Sequence, residues 1–311
     1  VTESTEKDGT RADSVARGDS WAGITAILVT ACLWSLNGPL IKLINENGRG
    51  ASGVTIAFYR SFIAGFLFLP LAWRHRATYA NAAWSWRVGS VCVFTLMTAA
   101  FVIATTLTAA SNAIVLQYTA PFWTFALSPL LLKVRPRRNE GAVLLLSMAG
   151  VAVIYFGSPP SDSVGLLTAL ISGFGYGTLI VVLRGLRNVN PYAVVCMNCL
   201  GSGALLAPAV LRWSAFVVTP AQFALIVVLG VFQFGLAYAL FSWGLQRVEA
   251  HRASLISLLE TILNPIWTFL FVGEAVPRPT WVGGPLILAG VVGWMLLNWR
   301  TERGRARSDP M

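Results

Sequence analysis

The chain has 311 residues, of which 56% are hydrophobic and only 12% charged, and its mean hydropathy is +0.66. A soluble domain carries about 25% charged residues, so this composition excludes an ordinary soluble fold. A net charge of +10 would suit a nucleic-acid binder, but the basic residues lie in short clusters between apolar runs, where positive charge sets membrane orientation, and no nucleic-acid partner is expected.

Residues 1–20 are polar and hold Glu3, Glu6, Asp8, Asp13 and Asp19. They lack the basic start and apolar core of a signal peptide and read as a disordered cytoplasmic tail. Ten apolar segments follow, at about 21–44, 52–73, 87–107, 110–132, 140–157, 164–185, 191–211, 221–245, 252–272 and 280–299. A membrane helix needs about 20 apolar residues. Each segment is apolar all round and rich in Gly, Ala, Ser and Thr, the small residues that let membrane helices pack closely. None alternates with the period of two that a barrel strand requires. The predicted fold is an all-α membrane protein of ten transmembrane helices, with a cytoplasmic tail over 300–311.

The first segment carries Trp34, Ser35 and Asn37, then Gly38-Pro39 and, near its end, Lys42. A Gly-Pro pair inside a span frees backbone groups that can face a cavity. Lys42 is placed to snorkel to the interface. In the second segment Tyr59 precedes Arg60, an arginine deep enough to bind a carboxylate, pair with an acid or gate a path. Gln117, with Asn112 and Tyr118, marks the fourth segment; Tyr176 the sixth; Asn198 the seventh; Tyr238 and Trp243, with Gln233, the eighth. Taken singly, such residues are as readily explained by hydrogen-bonded helix packing. The ninth segment holds Glu260, the one acid of thirteen that falls well inside a span. It lies roughly 12 Å from the segment's start, at 1.5 Å per residue. A carboxyl at that depth is either a proton or substrate-amine site, or a structural hydrogen-bonding group.

Several tryptophans, among them Trp21, Trp73, Trp84 and Trp281, fall near segment ends, as an interfacial belt does. Cys32, Cys92, Cys196 and Cys199 all lie in apolar runs and read as small buried residues. Enzyme signatures are absent. Both histidines, His75 and His251, fall in loops, and no phosphate-binding G-x-x-x-x-G-K-[ST] occurs. Neither a cofactor nor a metal is expected.

With the N-terminus inside, 18 of the 23 basic residues are cytoplasmic and only Arg49, Arg212 and Arg278 are external, while Lys42 and Arg60 lie within spans. This bias predicts an N-in, C-in topology. The chain also repeats itself. Gly23 and Gly165, Trp34 and Tyr176, and Lys42 and Arg184 are each 142 apart; Gly65 and Gly203, and Pro70 and Pro208, are 138 apart; Ala149-Gly150-Val151 and Ala289-Gly290-Val291 are 140 apart. The repeats span 21–157 and 158–299. Five helices each is an odd number, so the halves enter the membrane from opposite sides, as in many secondary transporters. Trp34 and Tyr176, as repeat mates, are candidate aromatic walls of a central site.

"LWSLNGPLIK" in the first segment, "FYRSFIAG" in the second, "LISLLETILNPIWTFLFVGE" through the ninth and "ILAGVVGWMLL" in the tenth resemble the EamA-type, ten-helix branch of the drug/metabolite transporter superfamily. Two positions depart from its pattern. Glu260-Thr261 stands where members tend to carry Glu-Pro, and Lys133-Val134 stands where a Gly-Glu would follow the fourth segment, as Gly273-Glu274 follows the ninth. The resemblance implies a carrier of the cytoplasmic (inner) membrane that moves an amino acid, another metabolite or a drug-like compound by alternating access, export favoured. The substrate-binding candidates are then Trp34, Asn37, Tyr59, Gln117, Tyr176, Asn198, Tyr238 and Trp243; Glu260 and Arg60 are candidates for coupling or gating. Implied partners are the solute, the bilayer, protons as a coupling ion and, as an open alternative, a second copy in a homodimer. An uncoupled facilitator and a membrane-bound lipid- or acyl-modifying enzyme are the competing readings.

Overall fold

A helix must rise about 30 Å to cross the hydrocarbon core, which takes about 20 residues. The structure, a computed structural model, describes residues 21–46, 49–120, 122–124, 126–127, 138–186, 188–213, 216–245, 247 and 256–308. Every long element among them is helical. Helix α1 is Trp21–Asn45, α2 Gly53–Arg74, α3 Arg76–Ala80, α4 Trp84–Leu107 and α5 Ala110–Gln117. Then come α6 Arg138–Gly157, α7 Ser163–Gly185, α8 Pro191–Trp213, α9 Pro220–Gly244, α10 Leu259–Val272 and α11 Arg278–Ser308. Among the described residues, six stretches are long and apolar enough to cross a membrane: those containing α1, α2, α4, α7, α8 and α9. Each predicted segment contains one of these helices. The predicted tail over 1–20, the end of the fourth segment and the start of the ninth lie outside the described residues, and α11 continues as helix through Ser308.

Local chemistry sets the boundaries. Ser52 caps α2, its Oγ accepting from Thr55 N at 3.2 Å. Thr219 and Gln222 form a reciprocal capping box at the start of α9, with Pro220 in the first turn, where its missing N–H costs nothing. Helix α10 stops at Gly273, whose φ of 73° is left-handed and suits glycine. Helix α1 is interrupted at Leu36. Pro39 cannot donate to Ser35 O, one turn earlier, and the chain tightens there through Leu36 N to Leu33 O at 3.2 Å.

Packing is by close backbone approach. Helices α2 and α8 meet at Gly65, where a Cβ would lie 2.6 Å from Leu200, and at Gly203, where it would lie 2.6 Å from Phe62. Helices α4 and α7 pack extensively, as do α6 and α11; the latter pair also bonds Ser147 Oγ to Ile287 O at 3.1 Å. Trp21, Trp73, Trp84 and Trp281 are exposed, as expected of residues in a membrane interface.

Lys42 does not snorkel. It is buried, and its Nζ contacts both Glu274 Oε2 and Thr108 O at 2.7 Å. Glu274 in turn accepts from Ala110 N at 2.7 Å through Oε1. The left-handed turn at Gly273 delivers the carboxylate to this place. One cluster thus ties the end of α1 to the α4–α5 corner and the end of α10. It is the single ion pair among the described residues. Removing one member of a buried pair leaves an uncompensated charge, at about 3–5 kcal/mol. Because the Glu274 side chain is 22% exposed, Glu274→Gln is expected near the low end, at about 3 kcal/mol. Denaturant unfolding in detergent measures it, and the double variant Lys42→Met/Glu274→Gln should lose less than the two single losses combined.

Candidate functional site

Helices that break inside a membrane expose backbone and redirect side chains, and three such breaks surround one cavity. The turn at Leu36 puts Trp34 on one side and Asn37 on the other. Helix α5 ends in a turn at Tyr118-Thr119, and α10 begins beyond a turn at Leu258, so that Glu260 lies in its first turn. A fourth irregularity lies opposite. Residues Leu229–Leu236 of α9 are π-helical, a form that concentrates at functional sites, and they supply Gln233 and Phe234.

The cavity holds about 500 Å³ of non-atom space, open solvent at its mouth included. Trp34 and Asn37 of α1, Arg60 of α2, Gln117 of α5, Tyr176 of α7, Tyr238 of α9 and Glu260 of α10 line it. Met97, Thr98 and Phe101 of α4 line it as well, with Tyr118, Gln233 and Phe234. Among the described residues, none of α3, α6, α8 or α11 lines it.

Aromatic rings build one side. Trp34 lies edge-on to Tyr238 with centroids 5.2 Å apart, and Phe234 packs on Tyr238 at 5.1 Å. Polar groups hold the frame. Gln117 Nε2 donates to Ser172 Oγ at 2.8 Å, and Gln233 Nε2 donates to Trp34 O at 3.4 Å, beside the break in α1. Tyr118 Oη is placed to donate to Glu260 Oε2 at 3.1 Å or Ser257 O at 3.0 Å. Glu260 is buried, with no cation within 4.0 Å among the described residues. Arg60 is 2% exposed; its Nη1 donates to Asn37 Oδ1 at 3.2 Å, its Nη2 to Thr98 Oγ1, and its Cζ lies 4.7 Å over the Phe234 ring. His, Cys, Asp and Glu form no metal-holding group among the described residues.

Three candidates lie elsewhere. Tyr59 turns the other way from its neighbour Arg60, donating to Phe216 O at 2.8 Å within a cluster that includes Phe58 and Phe223. Asn198 is buried between helices and accepts from Ser90 Oγ at 2.8 Å. Trp243 is 36% exposed, with Arg247 Cζ 3.8 Å over its ring. Conversely, Met97, Thr98, Phe101 and Phe234 carry no mark in the sequence that separates them from other helix residues.

The model of the EamA-like transporter family matches the chain twice, over residues 21–156 and 163–296. An Archaeoglobus fulgidus protein named "Uncharacterized transporter" is 26% identical over 283 residues, covering 89% of this chain and 96% of that one. "Uncharacterized inner membrane transporter YicL" of Salmonella typhimurium is 24% identical over 304 residues, covering 88% and 95%. A solved structure described only as "Crystal structure of protein" has a TM-score of 0.62 at 21% identity, over 92% of this chain and 99% of that one, and so shares the fold. Two tandem matches that span nearly all the described helices make this chain a multi-pass membrane protein of the EamA-like transporter family, within the drug/metabolite transporter superfamily.

Proposed function

We propose that the chain is a secondary transporter of ten spans in two inverted five-helix halves. It binds a small organic solute in the central cavity and exposes it to each side in turn, with export from the cytoplasm as the net direction. The observation that carries this reading is the cavity itself. Both repeats line it, it lies at their interface, and the helices around it are broken, which is where secondary transporters place their sites. Export rests on the family resemblance.

Contacts between repeat mates support a two-fold relation between the halves, and an odd number of helices in each half would make that relation an inverted one. Under a two-fold axis, a residue on the axis meets its own mate, and off-axis contacts come in pairs. Ser147 and Ile287 are 140 apart and hydrogen-bonded; Phe94 and Phe234 are 140 apart with ring centroids at 5.9 Å. Gly65 meets Leu200 while Gly203 meets Phe62, and at an offset of 138 these are one contact seen twice. The turns at Tyr118 and Leu258 are also 140 apart.

Topology is tested by thiol labelling after the four native cysteines are removed. Cysteines placed at Arg49, Ser161 and Arg278 should react with an impermeant reagent outside intact cells, and those at Arg76, Arg137 and Arg303 should not; labelling at Arg137 from outside breaks the N-in, ten-span arrangement.

A second test separates wall from scaffold. Trp34→Ala should cut solute flux in proteoliposomes at least tenfold with near-normal membrane insertion. Asn198→Ala should instead lower unfolding stability by about 1 kcal/mol, the net worth of its hydrogen bond from Ser90 Oγ, which can still donate to Arg87 O, and leave flux through folded protein unchanged. Loss of folded Trp34→Ala protein without any flux defect in the remainder assigns Trp34 to packing.

Glu260 is the proposed coupling group. Glu260→Gln keeps the shape but cannot release a proton, so accumulation driven by a pH gradient should vanish while solute exchange persists. Unchanged pH dependence in that variant makes the chain an uncoupled facilitator.

A further inference from the structure

Resting on that reading of the cavity as the solute site, we infer that the solute carries an anionic group, of the carboxylate class, which docks on Arg60. The starting point is an uncompensated charge. A guanidinium has five N–H donors and remains charged in proteins, and burying it away from water without a counterion is costly. Arg60 is 2% exposed, yet no carboxylate lies within 4.0 Å of it among the described residues. Its fixed partners are neutral: Asn37, Thr98 and the face of Phe234. Among the described residues its Nε has no hydrogen-bond partner. Of the thirteen acids in the chain, the only one deep in a predicted span is Glu260. Glu260 lines the same cavity but is held by the Tyr118 hydroxyl and forms no ion pair with Arg60.

The charge is not duplicated in the second repeat. At the offset of 138 the mate of Arg60 is Asn198, a neutral amide that ties its helix to α4 through Ser90 Oγ at 2.8 Å. Arg60 ties α2 to the same helix, through Thr98. The charge is thus found in one half alone and has no acidic partner there among the described residues. A second buried group agrees. Gln233, 2% exposed and also lining the cavity, has an Oε1 with no partner. The site thus presents an unpartnered guanidinium N–H at Nε, a spare neutral acceptor and an aromatic wall of Trp34, Phe234 and Tyr238. A flat or apolar body with a carboxylate at one end matches this set, because a hydrogen bond between a guanidinium and a carboxylate is charge-assisted and roughly twice as strong as a neutral one.

The experiment compares matched probes on the purified full-length chain by thermal shift and equilibrium binding. The first pair is 3-phenylpropanoate and 3-phenylpropanamide; the second is phenylalanine and phenylalaninamide. In at least one pair the carboxylate should bind at least tenfold more tightly than its amide, and Arg60→Gln should erase that preference, with Arg60→Lys retaining only part of it. The wild-type comparison stands alone if Arg60→Gln does not fold. Equal binding of acid and amide, binding of neither, or a preference that survives in folded Arg60→Gln each overturns the inference. Proteoliposome uptake separates it from the reading beneath it. If the carboxylate binds but never crosses, transport fails and the anion site stands. If the amide binds equally well and crosses, transport stands and the anion site falls.

Discussion

In hydrocarbon every peptide N–H and C=O must find a partner within the protein, and this requirement decides where the helices of this chain can break. Each break sits where a partner is at hand. Pro39 deprives Ser35 O of its donor, and the neighbouring Trp34 O accepts from Gln233 on a facing helix. Beside the turn at Leu258, Ser257 O accepts from Tyr118 Oη. Polar side chains reach the cavity because the broken backbone has to be satisfied there, so the site and the helix breaks form one construction. Helices α6 and α11, whose described residues do not line the cavity, pack instead against each other.

This explains which parts of the protein the amino-acid pattern discloses. Hydropathy and the placement of arginines mark the apolar segments, and self-similarity at offsets of 138–142 marks the two halves that the family model matches separately. Trp34 and Tyr176 emerge from that symmetry and do line the cavity. Arg60 and Glu260 stand out because charge at depth is expensive. Azimuth is what remains hidden. A helix that is apolar all round does not announce which side faces lipid and which a cavity, so Tyr59 and Arg60, adjacent in sequence, look equivalent yet point to different neighbours. Thr98 and Phe101 are invisible for the same reason. The burial of Lys42 is hidden on another ground: its counterion is Glu274, more than two hundred residues away, and only the fold brings them together.

Symmetry of the scaffold and asymmetry of the chemistry coexist. Matching positions in the two halves share small residues at close approaches, as Gly65 and Gly203 do, because each meets a bulky side chain of the other half. The charged residues of the cavity are not matched in this way. Arg60 faces Asn198 across the repeat, and at an offset of 140 Glu260 corresponds to Ala120. A scaffold duplicated for mechanical reasons can therefore bind a ligand with distinct ends.

The π-helical stretch in α9 has a consequence for how this chain tolerates change in length. A π turn closes its hydrogen bond over one more residue than an α turn does, so Leu229–Leu236 behaves as an α-helix into which residues have been inserted. One residue turns an α-helix by about 100°. Losing a single residue here would let the backbone relax to regular α geometry while everything beyond it, Tyr238 included, keeps its direction around the axis. The resulting helix would be just as apolar, would cross the bilayer equally well and would still show the cavity the same side. A one-codon deletion in the regular α-helical part of α9 has no such slack and would exchange a whole wall of the site at once.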